Sequence, residues 1–241
     1  MRILIFQHID VEHPGMFGEL WREAGHELTA IELDEGEAIP PLEDFDLLVV
    51  MGGPMDVWHE DRHRWLIDEK AAIRRWVKDL GKPYLGICFG HQLLADALGG
   101  KVSRMTRPEV GLTFVKLTAD GQRDPILEGF PIDIESFQWH GAEISIPPDG
   151  STILAANDAC PVQAIRWGQH AYGFQYHCEI EVSTVGDWER IPEYKASLQQ
   201  ALGTAKASQL AGEVLPRLPA FNAFARRLSS NLMKIVSNGN R

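Results

Sequence analysis

The sequence predicts an α/β protein: an open, mostly parallel sheet with helices on both faces, a small antiparallel strand region and C-terminal helices. Three observations carry this expectation. Short, wholly apolar runs such as Asp46-Leu-Leu-Val-Val-Met51 end in glycine, the mark of strands buried on both faces. Amphipathic helical stretches alternate with those runs, and strand–helix–strand in that rhythm folds into a parallel sheet. From Lys101 to His177 the pattern changes to short strands between Gly, Pro, Asp and Asn turns, and after residue 180 it is helical to the end.

Taken in order, Arg2-Ile-Leu-Ile-Phe6 is an apolar strand running into the polar Gln7-His8-Ile9-Asp10. Pro14 to Ala24 is a helix, with Phe17, Leu20, Trp21 and Ala24 at three- and four-residue spacing and Gly25 as its stop. A strand over Glu27–Glu32 follows, then the buried run Asp46–Met51 closed by Gly52-Gly53-Pro54. A helix from Asp61 to Leu80 aligns Leu66, Ile73, Trp76, Val77 and Leu80 in one stripe. Lys82-Pro83 restarts the chain into the strand Tyr84–Ile87, and Gly90 to Leu98 is helix, stopped by Gly99-Gly100. Strands are expected at 102–105, 111–118, 133–138, 152–155, 162–167 and 171–177. In the last helix Phe221, Phe224, Leu228, Leu232 and Ile235 form a stripe read as core packing, as are Trp58, Trp65 and Trp76.

Composition narrows the classes of function. The chain has 241 residues, 44% of them hydrophobic and 24% charged, enough for a core without disulfide or metal staples. Its three cysteines, Cys88, Cys160 and Cys178, are too few and too scattered for a disulfide framework, which points to the cytoplasm. No apolar stretch is long enough to cross a membrane, and Met1-Arg2-Ile3 opens a strand rather than a signal peptide. A net charge of −11 disfavours nucleic acid and anionic membranes as partners. The charge is uneven: residues 190–241 carry +6 and the first 189 carry −17.

Ligands of parallel α/β sheets sit at the carboxyl ends of strands. Two such ends are Met51-Gly52-Gly53 and Cys88. Gly86-Ile87-Cys88-Phe89-Gly90 follows a buried strand and opens a helix, the context in which a Gly-x-nucleophile-x-Gly turn exposes its central residue above the sheet. The helix N-terminus favours a thiolate there, and the Phe89 N–H can donate to a developing oxyanion. A structural cysteine between two incidental glycines is the plainer alternative. A cysteine nucleophile needs a base, and the base an orienting group. His177 and Glu179, two residues apart in an extended run, share a face with Cys178 turned away from it. A casual surface His-x-Glu is the alternative there.

Together these segments resemble the class I, or triad, glutamine amidotransferases. The segments are Gly52-Gly53-Pro54, Gly86-Ile-Cys88-Phe-Gly90-His-Gln92, Trp139-His140-Gly141 and Phe174-Gln-Tyr-His177-Cys-Glu179, in that order. The stretch from Pro54 through Glu60-Asp61, Trp65-Leu66 and Glu69-Lys70 to Leu93-Leu94-Ala95 is similar to stand-alone members related to the amidotransferase part of GMP synthetase. The resemblance spans roughly residues 1–180 and implies a flavodoxin-like domain over 1–189, with 190–241 a helical extension packed on it. It implies Cys88 as nucleophile, His177 as base and then acid, and Glu179 as the residue that orients and charges the imidazole. Gly53 and Phe89 would form the oxyanion hole, and Gly52, Gln92, Gly141 and Ala142 would hold the substrate. The implied chemistry is release of ammonia from glutamine through a γ-glutamyl thioester, with no cofactor and no metal.

Two departures stand out. The family usually reads His-Pro-Glu where this chain has His177-Cys178-Glu179, which sets a second, oxidisable thiol near the site. It reads His-Gly-Asp, in members related to GMP synthetase, where this chain has His140-Gly141-Ala142, and the adjacent Glu143 points the other way in a strand. His59-Glu60-Asp61-Arg62-His63 fits a zinc pattern but sits where a loop enters a helix and has no third ligand. No Ser-Gly-Gly-x-Asp-Ser loop for ATP occurs, so an ammonia acceptor would be activated by a synthetase partner. Three readings follow: a glutamine-hydrolysing component of a synthetase or free glutaminase, a γ-glutamyl peptide or amide hydrolase with the same triad, or a non-catalytic binding module. The basic C-terminal helices are expected to pack on the acidic core of their own chain. Docking of another chain, as in a homodimer, is the alternative.

Overall fold

The computed structural model describes residues 1–239; Arg241, counted above among the basic residues, lies outside them. Its strands are β1 (Arg2–Gln7), β2 (Glu27–Glu32), β3 (Leu47–Val50), β4 (Tyr84–Ile87), β5 (Lys101–Leu117), β6 (Asp133–Ile146), β7 (Ser151–Ala156), β8 (Ala164–Trp167) and β9 (Ala171–Phe174). Its α-helices are α1 (Gly15–Glu23), α2 (Trp65–Arg74), α3 (Phe89–Ala97), α4 (Thr184–Trp188), α5 (Pro192–Ala207), α6 (Leu210–Val214) and α7 (Leu218–Gly239). All nine strands join one sheet in the order β2-β1-β3-β4-β9-β8-β7-β5-β6. The first five are parallel, in the flavodoxin-like order with β9 in fifth place. The other four are antiparallel.

Alternation along the strands divides the core. Ile3, Ile5, Leu47 and Val49 face Phe17 and Trp21 of α1 and Leu228 and Leu232 of α7. Leu4, Phe6, Leu48 and Val50 face Leu66, Ile73 and Trp76 on the α2 side and Leu93 and Leu94 of α3. A third cluster joins Phe137 and Trp139 of β6 to Trp188, Tyr194, Leu198, Val214 and Phe221 on the C-terminal helices. The aromatic stripe of α7 is thus divided between two of these clusters. Trp21 Nε1 donates to Ser229 at 3.0 Å, and Asn231 Nδ2 donates to the Ile126 and Glu128 carbonyls.

Several elements differ from their sequence reading. The two strands expected at 102–105 and 111–118 are one long strand, because a bulge between Arg104 and Glu109 shifts its register on β6 without ending the pairing. β6 continues to Ile146 rather than stopping at residue 138. The helix expected from Asp61 begins at Trp65, and its last turn, Arg75–Asp79, widens to a π-turn. β9 ends at Phe174, and His177 returns to the sheet through a single bridge to Phe137. Trp76 and the flanking helix stripe are buried, but Trp58 is 38% exposed with the Arg104 guanidinium over its ring, so it is not a core residue.

Candidate active site

A cavity of about 130 Å³ opens at the carboxyl ends of β3 and β4, beside the point where strand order reverses. Gly53, Cys88, Phe89, Gln92, Gly141 and Ala142 line it, all expected from the sequence, with Trp139 and His140. A larger cavity of about 940 Å³, between residues 33–43 and α2, is lined by none of the candidate residues.

Cys88 joins β4 to α3 with φ 50° and ψ −100°, the one non-glycine residue with positive φ among the described residues. Such a conformation costs on the order of 1–3 kcal/mol and persists only where its surroundings over-determine it. Both flanking glycines do so. A β-carbon at Gly86 would lie 2.5 Å from the Gly90 carbonyl group, and one at Gly90 would overlap the Val50 carbonyl oxygen. The Cys88 N–H donates to Phe174 O at 2.8 Å, and the Gly90 N–H to Met51 O at 3.1 Å.

The sulfur is buried. Gln175 Nε2 donates to it at 3.5 Å. Burial pushes the thiol pKa up, His177 pulls it down, and the carboxylates of Glu12 and Glu179 add to the rise. The net direction is upward, because desolvation of the buried sulfur outweighs the pull of His177.

His177 Nδ1 lies 2.6 Å from Glu179 Oε1, and both side chains are buried. Burial opposes the imidazolium, but the Glu179 charge, its hydrogen bond and the Cys88 sulfur overcome this and hold the His177 pKa well above its ordinary value. The imidazole is a stronger base facing a weaker acid. Among the described residues its buried Nε2 has no hydrogen-bond partner, the atom left for a proton in transit. The second oxygen of Glu179 accepts the Cys178 N–H at 2.9 Å, a donor that a proline at this position would lack. The Cys178 side chain is packed in the core that includes Tyr176 and Leu228. Burial raises its thiol pKa well above the ordinary value, which works against the oxidation expected of it from sequence.

Neither the Gly53 nor the Phe89 N–H is used by another backbone group among the described residues. Gly52 is not among the cavity-lining residues and serves from behind: its carbonyl lies 2.8 Å from His8 Nδ1, whose Nε2 lies 2.9 Å from Glu69 Oε1. Burial disfavours the His8 cation, but Glu69 and the Gly52 carbonyl prevail and raise its pKa. Gln92 Nε2 donates to Ala142 O at 3.1 Å and to Gln175 Oε1 at 3.0 Å, linking α3 to β6 and to the residue that contacts the sulfur.

Sequence reasoning missed four groups. His8, Glu69 and Gln175 support the Gly52-Gly53 turn and the sulfur. Glu12, 2% exposed, accepts the Tyr194 hydroxyl with one oxygen; the other has no partner among the described residues and lies where a Gly52 side chain would sit. Burial raises the Glu12 pKa to about 7, with Glu179 adding to the rise and His177, Tyr194 and His8 opposing it. The polar run after β1 was the available signal, because it lies at a strand's carboxyl end. The larger surprise is the far wall of the cavity, where α5 contributes Glu193, Tyr194 and Ser197. Trp139 Nε1 holds that wall, donating to Ser197 Oγ at 3.0 Å and Tyr194 O at 3.3 Å.

This arrangement, a strained cysteine turn, a carboxylate-backed imidazole and two unused N–H groups, is the equipment of acyl transfer through a covalent intermediate. Comparison with known proteins agrees in class: residues 19–188 match the class-I glutamine amidotransferase family, and the chain belongs to it. Among its relatives is a subunit of the glutamine-hydrolysing GMP synthase of Sulfolobus acidocaldarius, 35% identical over 160 residues, covering 66% of this chain and 80% of the relative. Another is a glutamine amidotransferase-like protein of Salmonella typhimurium, 31% identical over 195 residues and covering 77% and 78% of the two chains. A solved glutamine amidotransferase of Thermotoga maritima superposes with a TM-score of 0.84 at 28% identity, covering 98% of both chains. The structural likeness therefore continues past residue 180 into the C-terminal helices. Among the described residues no helix is long and apolar enough to cross a membrane.

Proposed function

We propose that the chain hydrolyses the side-chain amide of glutamine through Cys88, His177 and Glu179. His177 Nε2 takes the thiol proton as the sulfur attacks the carboxamide carbon, and the N–H groups of Gly53 and Phe89 receive the oxyanion. Collapse breaks the C–N bond, with the same proton passing to the leaving nitrogen, and ammonia departs. Water, deprotonated by His177, then cleaves the γ-glutamyl thioester to glutamate and restores the thiol. The observation that carries this reading is the buried His177–Glu179 pair at 2.6 Å, its free Nε2 acted on by a sulfur held on a strained turn.

The test is glutamate and ammonia release from glutamine. Cys88→Ala should lower turnover by about a thousandfold or more; a variant that keeps its activity overturns the assignment. A second reading is hydrolysis of γ-glutamyl peptides by the same three residues, since the γ-glutamyl part offers the same side-chain carbonyl as glutamine and only the leaving amine differs. It predicts Cys88-dependent turnover of γ-glutamyl dipeptides but not of glutamine. The relatives named as GMP synthase subunits support a synthetase as the acceptor of ammonia. Glutamine turnover that rises on adding such a synthetase would support that pairing, and turnover unaffected by it would argue for a free glutaminase.

A further inference from the structure

We propose that Glu193, on the first turn of α5, binds the α-ammonium group of the substrate. The proposal rests on the reading that glutamine is the substrate. A free amino acid brings a cationic group into the cavity, and a site that removes its water must supply an acceptor. The two carboxylates that line the cavity are Asp56 and Glu193. Asp56 is already engaged: its Oδ2 lies 2.9 Å from Arg104 Nη2 and 3.5 Å from His59 Nε2. Glu143, next to Ala142 in β6, does not line the cavity; its carboxylate acts on Cys160, whose thiol burial pushes up to about 12 with Glu143 adding to the rise. The Ala142 carbonyl is occupied as well, by Gln92 Nε2 at 3.1 Å and His140 Nδ1 at 2.9 Å.

Glu193 is different in each respect. Among the described residues it makes no ion pair, and no lysine or arginine lines the cavity to compete for it. Its backbone is fixed by its neighbour: Tyr194 is buried, its hydroxyl donates to Glu12, and its carbonyl accepts from Trp139 Nε1 at 3.3 Å. A carboxylate on an anchored helical turn, exposed and lining the cavity that also holds Cys88, suits the far end of a five-carbon amino acid. The specificity residue then comes from beyond residue 189, in the positively charged part of the chain.

The experiment is alkylation of Cys88 by a glutamine analogue with a chloromethyl ketone in place of the carboxamide, and by the same analogue lacking its α-amino group. Rates are followed by intact mass and need neither turnover nor a synthetase. The wild-type protein should react faster with the amino analogue. In Glu193→Gln that preference should fall by about tenfold, while the rate with the des-amino analogue stays unchanged. Equal wild-type rates with both analogues, a preference that survives Glu193→Gln, or an equal fall in both rates overturns the proposal. A wild-type protein alkylated by neither analogue overturns instead the reading of glutamine as substrate.

Discussion

The two halves of the sheet build the site by different means. In the parallel half the backbone itself is the instrument: β3 and β4 end in turns so crowded that only glycine fits beside the cysteine, and the reactive groups follow from chain geometry. In the antiparallel half and the C-terminal helices, side chains do the placing. Trp139 packs edge to face on Trp188 at 5.6 Å and on Tyr194 at 5.9 Å, and this cluster sets α5 against the cavity. A backbone solution tolerates almost no substitution. A packing solution tolerates many, provided that volume is kept.

The largest effect expected from this comparison is at Gly90. A methyl group there meets the Val50 carbonyl oxygen, and neither β3 nor α3 can retreat without opening the buried core. Gly90→Ala should cost about 3 kcal/mol or more in urea unfolding. Gly212, on α6, has no neighbour within 4 Å of an added β-carbon and no positive φ, so the same change should stabilise by about 0.5–1 kcal/mol. Equal effects at the two positions would refute the steric account. Next in size is Leu232→Ala on α7, which empties a fully buried position and should cost about 2–5 kcal/mol by the same measurement.

Glu12 joins the two halves, and its titration offers a test without a change of shape. Its folded pKa of about 7 lies above the ordinary carboxylate value. Folding therefore favours the protonated form; the resulting stability is full below the ordinary pKa and is lost as pH rises through about 7. Glu12→Gln keeps the shape and cannot ionise. The wild type should lose roughly 2–3 kcal/mol more than the variant between pH 4.5 and pH 8.5. Parallel stability profiles would mean that Glu12 titrates normally in the fold.

What the sequence makes legible follows the same division. Strands buried on both faces are written as continuous apolar runs, and Tyr84–Ile87 matches its observed limits, as does the more exposed Glu27–Glu32. The glycines around Cys88 are equally plain, since steric demand leaves only one residue type. Side-chain packing leaves many, and nothing local in Pro192-Glu193-Tyr194 says that it will line a cavity built by residues as distant as Gly53, Cys88 and Trp139. The bulge in β5 was hidden for a related reason. Thr106 to Val110, with Pro108 among them, fell between the two expected strands, but in the fold the chain stays extended through them. Glu12 and Glu69 were passed over because a carboxylate in a loop or helix reads as solvated until the fold removes its water.

The smallest expected effect sharpens the comparison most, because it concerns the uneven charge of the chain. Residues 190–241 are basic and the rest acidic, which suggests that attraction fastens the C-terminal helices. The contacts say otherwise. Arg217 reaches Glu135 only at 3.6 Å, with the arginine exposed and the glutamate partly so, whereas Phe221, Leu228 and Leu232 are almost fully buried. An exposed pair of this kind contributes about 0–1 kcal/mol and is screened by salt. Arg217→Ala should therefore shift stability by less than about 0.5 kcal/mol at low salt, and by still less at high salt. A loss approaching that of Leu232→Ala, shrinking as salt is added, would show that charge rather than apolar packing holds the helical wall in place.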